Sequence, residues 1–109
     1  MTTIEKRIET ERKVVRHLIR TAKKHGFELR AVDNGEERIN VPTETEAMEH
    51  VFSVDESKVV FRHPSHTKNH VAMIVLGNDG WDAISDSSEG ELWDDVMKEC
   101  NEYADKLDT

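Results

Sequence analysis

His63-x-x-His66-x-x-x-His70 is the arrangement in this chain that could do the most chemistry. Imidazoles at such spacing suit zinc, nickel or copper when a loop gathers them. The segment holds no acid or cysteine to complete a ligand set, and the apolar runs on either side account for it as a hairpin loop. His63 and His70 facing each other across two strands would make a cross-strand pair without an ion, so no metal is assigned. Asn78-Asp79-Gly80 with Asp82 has the outline of a calcium loop. The ladder of acids ending in a glutamate twelve positions along is absent, and turn geometry explains these residues better. The single thiol, Cys100, falls inside an apolar helical stripe, where a thiol is packed and inert. The chain has no G-x-S-x-G elbow, no phosphate-binding glycine loop and no G-x-G-x-x-G. Carboxylates are plentiful, but on a solvated helix face they are not an acid–base pair until a cleft raises one pKa. The reading is a non-enzyme with no catalytic residue and no cofactor.

Charge carries the remaining signal. The 109 residues sum to −8, yet residues 1–30 hold nine Lys/Arg against four acids, residues 31–85 four against ten, and residues 86–109 two against nine. One basic end and one acidic end can pair within the molecule, pair between subunits as in a homodimer, or each meet a different partner. On the basic end, Arg16, Arg20, Lys23 and Lys24 lack an acid on their own helix to pair with. On the acidic end, Glu91, Asp94, Asp95, Glu99, Glu102 and Asp105 line one side of a helix, relieved only by Lys98 and Lys106.

These residues must be positioned by elements legible from periodicity. A helix is expected over 3–25, with a capping box at Thr2 and Glu5, an apolar stripe of Ile4, Ile8, Val15, Leu18, Ile19 and Ala22, and Gly26 at its end. Phe27, Leu29 and Ala31 alternate as the inward side of a strand over 27–32. Asp33-Asn34-Gly35 turns it into a short strand over 37–41, which Pro42 stops. Thr43 with Glu46 caps a short helix over 44–52, and Asp55-Glu56-Ser57 turns into a strand over 58–63. The stretch 71–86 reads as a central apolar strand over 71–76, the turn Gly77-Asn78-Asp79-Gly80, and a strand from Trp81 to Ser85. The last helix covers 91–107, with Leu92, Trp93, Val96, Met97, Cys100, Tyr103, Ala104 and Leu107 inward. Trp81 is expected to pack with Trp93, making the hairpin the platform under the acidic row.

The sum is one α+β domain spanning 1–109, in the order α-β-β-α-β-β-β-α. A five-stranded, mostly antiparallel sheet has its helices on one face. A chain this long buries roughly 65% of its unfolded surface, enough for one core without disulfides. The longest apolar run, 71–76, is too short to cross a bilayer, no apolar leader follows Met1, and one cysteine suits a reducing compartment. The expected location is the cytoplasm, with no membrane contact.

Phe52-Ser53-Val54-Asp55-Glu56, a valine-rich strand and then V-L-G-N-D-G-W-D-A-I-S-D give residues 47–86 a further significance. The stretch resembles a family of small phage- and prophage-encoded proteins of no assigned activity, in which a hydrophobic strand, a G-N-D-G-type turn and an I-S-D ending recur. The resemblance implies a mobile-element origin and carries over no catalytic residue.

The expected function is that of a small protein-binding protein that modulates or inhibits a host protein, such as a nucleic-acid-binding or defence protein. Its contact surface is the carboxylate row of the last helix, which imitates a phosphate backbone. Nucleic acid itself ranks below protein as a partner, because a pI of about 5.2 opposes the electrostatic footprint of a nucleic-acid binder. The alternatives are nucleic-acid association through the basic face of the first helix and self-association as a structural or assembly protein.

Overall fold

A computed structural model describes residues 3–41 and 43–107, so the capping box at Thr2 and the stop at Pro42 lie outside the described residues. Its elements are α1 (Thr3–Lys24), β1 (Glu28–Asp33), β2 (Arg38–Asn40), α2 (Glu44–Val51), β3 (Glu56–Arg62), β4 (His70–Val75), β5 (Ile84–Ser87) and α3 (Glu91–Leu107). The expected order holds. The strands form one sheet, β2-β1-β3-β4-β5, in which every neighbouring pair is antiparallel. Since β2 and β3 both pair with β1, α2 carries the chain across β1 from an edge to the centre of the sheet.

All three helices and one face of the sheet share a single core. Val15, Leu18 and Ile19 of α1, Ala47 and Val51 of α2, and Trp93 and Val96 of α3 meet Leu29, Val32, Val59, Phe61, Ala72 and Ile74 of the sheet. Trp93 and Phe61 are the largest side chains in it, and burying each contributes about 2–3 kcal/mol. A register shift between Leu29 and Ala31 corrects the simple alternation expected for β1. The bulge sets Ala31 opposite Val60 on the outer face and hands the inward position to Val32, opposite Val59.

The helix ends behave as their residues dictate. Gly26, at φ +88°, closes α1, with Gly26 N–H donating to Lys23 O and Phe27 N–H to Ala22 O. Thr43 caps α2 by accepting from Glu46 N–H and donating to Glu46 Oε1. At the other end of α1, Ile4 and Ile8 of the expected stripe are exposed, because they border the 76–79 loop and not the sheet. The buried stripe begins at Glu11.

The β1–β2 turn keeps the expected four-residue spacing, while the loop before β5 is longer than the sequence suggested. Asn34 lacks a positive φ, and its Oδ1 accepts from Glu36 and Glu37 N–H, so the β1–β2 loop has four residues and only Gly35 is left-handed. Glu56 and Ser57, read as turn, belong to β3, where they pair with Val75 and Ile74. β5 begins at Ile84, three residues after the expected start at Trp81. Asp82 Oδ1 accepts from Asp79 and Gly80 N–H and keeps 77–82 as an ordered loop.

Candidate functional site

The basic face of α1 is partly neutralised by acids from other elements. Arg20 Nε donates to Glu44 Oε1 at 2.9 Å, and its Nη2 reaches Glu44 Oε2 at 3.4 Å. On the opposite flank Lys24 Nζ donates to Glu99 Oε1 at 2.8 Å, while His25 Nε2 lies 3.0 Å from Glu99 Oε2. Hydrogen bonds from Lys24, and then from His25, hold the Glu99 carboxyl below its ordinary range. Of the four cations singled out, Arg16 and Lys23 have no ion-pair partner among the described residues.

The same pairing divides the acidic row. Glu99 is committed to α1, whereas Glu91, Asp94, Asp95, Glu102 and Asp105 are exposed on α3 and form no side-chain ion pair among the described residues. They project opposite Trp93, Val96 and Cys100, the buried residues of that helix. Tyr103 stacks on His17 of α1 with ring centroids 4.0 Å apart, which fixes the roll of α3 and the direction the carboxylates take. His17 is displaced below the ordinary histidine value by burial, with Glu99 opposing that shift and Lys24 and Lys106 adding to it. Burial pushes the Cys100 thiol up to about 12, against a contact with Thr21, so it is not a nucleophile near neutral pH.

The three histidines do come together, though not as a cross-strand pair. β4 sets His70 opposite Phe61, and His63 lies beyond the end of β3. His66 stands between them, with ring centroids 5.2 Å from each. Phe27, at the start of the sheet, presents an edge contact to all three rings, and Trp93 closes the group at 5.6 Å from His70. His63 Nδ1 accepts from the Ser65 backbone N–H at 3.1 Å and contacts Ser65 Oγ at 2.6 Å. The Nδ1 atoms of His66 and His70 and Nε1 of Trp93 are buried without a hydrogen-bond partner among the described residues. Among the described residues no group of three His, Cys, Asp or Glu side chains is arranged to hold a metal ion.

Two organising residues escape the sequence reading. Phe27 counts there as one strand residue, yet it touches Trp93 and every histidine of the loop. Glu11 is 2% exposed and accepts from Gly77 N–H at 2.7 Å, with Arg7 Nε 3.7 Å away. Its signal was an acid standing in the apolar stripe of α1. Glu11 ties the 77–82 loop to α1, and Trp93 packs on Phe27, Phe61 and His70. The hairpin tip is thus anchored to α1, and the expected contact between Trp81 and Trp93 is replaced by these three. No helix among the described residues is long and apolar enough to cross a membrane.

No protein family, curated protein or solved structure matches the chain.

Proposed function

We infer that this chain is a small non-enzymatic protein-binding protein that offers the free carboxylates of α3 to a basic surface of its partner. The observation that supports this is the division of the acidic row. Internal pairing consumes Glu99, and five carboxylates are left on a helix whose other side is fixed by Trp93, Val96, Cys100 and Tyr103. Carboxylates spaced along a rigid helix resemble a row of phosphates to a cationic groove. A nucleic-acid-binding or defence protein of the host of a mobile element is the kind of partner that fits. The basic face of α1 is the weaker candidate, since Arg20 and Lys24 are already engaged.

Affinity capture from the native host's lysate identifies the partner, and a charge-reversed variant tests the surface. Asp94→Lys with Asp95→Lys and Glu102→Lys leaves the Glu99 contacts intact. We expect binding to weaken steeply with salt and to drop at least about tenfold in the variant, with an unchanged circular dichroism spectrum. Binding by the variant at wild-type affinity would refute the assignment.

A further inference from the structure

We propose that His63, His66 and His70 form a proton-sensitive latch on α3, closed while the three imidazoles are neutral and opened when His70 gains a proton. The consequence for partner binding rests on the reading of α3 given above; the latch itself does not.

The geometry of the Nδ1 atoms is the first argument. An imidazolium carries an N–H on both ring nitrogens. On His63 the new N–H would displace the Ser65 N–H that Nδ1 now accepts and turn to Ser65 Oγ, 2.6 Å away. On His66 and His70 it would be buried with no acceptor among the described residues. A proton on His70 therefore leaves a buried donor unmade, which is costly.

The surroundings of His70 add to this. His70 is 7% exposed, and its ring lies 5.3 Å from Phe27 and 5.6 Å from Trp93 and places Nε2 against Gly90, one residue before α3 begins. A cation there opposes the positive end of the helix dipole. Charged residues next to the contacting positions are His25 and Glu28 around the α1–β1 turn, Arg62 and Lys68 on the same hairpin, and Glu89, Glu91 and Asp94 around the start of α3. Glu89, Glu91 and Asp94 are exposed, and His25 is taken up by Glu99. Burial first, then the charges of His66 and His63, hold His70 below its ordinary value of 6.5.

The sign follows from linkage. A histidine with a lowered folded pKa binds more protons when unfolded or undocked. Its contribution is intact above about 6.5 and is lost as the pH falls toward the folded value. Protonation sets a cation between Phe27, Trp93 and the α3 terminus, and the element with most to gain by moving is the first part of α3.

Amide exchange and histidine resonances of the labelled full chain, followed by NMR between about pH 7.5 and 5.5, test the latch. We expect His70 to titrate below 6.5, with protection across 91–97 falling at least about tenfold in step while residues 29 and 60 stay protected. His70→Gln should remove the pH dependence. Should that variant not fold, His66→Gln takes away a neighbouring like charge and should move the His70 midpoint upward. Constant protection over 91–97, a loss shared equally by the sheet, a pH dependence that survives His70→Gln, or an unmoved midpoint in His66→Gln each overturns the latch. Loosening of α3 without any change in partner binding would leave the latch standing and refute α3 as the contact surface.

Discussion

Two buried polar groups sit at opposite ends of β4, and their surroundings are opposites too. Beyond Val75, Glu11 reaches from α1 to the loop and takes the Gly77 N–H at 2.7 Å, with Arg7 alongside. Before Val71, the Nδ1 atoms of His66 and His70 are buried with no hydrogen-bond partner among the described residues. A satisfied buried carboxylate fastens two elements in one arrangement, because each alternative leaves a donor or a charge stranded. Neutral imidazoles without partners tolerate burial only while they remain neutral. The first end is thus built as a fixed clamp and the second as a place where a proton changes the balance.

The sharpest way to break this contrast is to remove the clamp. Glu11→Ala strands the Gly77 N–H, removes the partner of Arg7 and opens space beneath α1. It should cost about 3 kcal/mol of unfolding free energy, read from urea denaturation. Glu11→Gln keeps an acceptor oxygen and should cost only about 1 kcal/mol. Equal effects of the two variants would mean that packing, and not the bond to Gly77, fastens this end.

Next in size is the glycine that lets the loop approach. Gly80 has φ +102°, and a Cβ there would stand 3.0 Å from Thr10 Cβ and 3.1 Å from the Arg7 carbonyl oxygen. Gly77, at φ +99°, has open space around the same position. Gly80→Ala should therefore cost about 2–3 kcal/mol, strain and displacement of the helix together, against about 1 kcal/mol of strain alone for Gly77→Ala. Thermal melts of the pair measure the difference directly, and equal shifts would show that the loop does not bear on α1.

Legibility in the sequence followed the range of the interactions. Helix α3 was readable in its bounds and in most of its stripe, since periodicity is local, but Leu92, read as inward, is exposed at the first turn. The element order was readable for the same reason. The Leu29–Ala31 bulge, the late start of β5 and the two extra residues of β3 were not, because pairing with distant strands decides them. The acidic row was visible as a face, but the loss of Glu99 from it depends on Lys24 and His25, some 75 residues earlier in the chain. The histidine spacing suggested a cluster. Only the tertiary structure shows that Phe27 centres it and that its nitrogens point to separate surroundings, His63 Nε2 toward Gly26 and His70 Nε2 toward Gly90.

The smallest effect belongs to a contact that looks strong on paper. Arg20 meets Glu44 through two nitrogens, yet its side chain is 66% exposed, so most of the Coulomb attraction is spent in water. Glu44 also lies in the first turn of α2, where the helix dipole favours a carboxylate with or without a partner. Arg20→Ala should accordingly cost about 0.5 kcal/mol in low salt, a difference that disappears near 1 M salt in urea denaturation. A cost of about 2 kcal/mol that resisted salt would mean that the arginine stem, packed between α1 and α2, holds the short helix in place. The pair would then be a second clamp like Glu11, and the latch at the histidine end would be alone in lacking one.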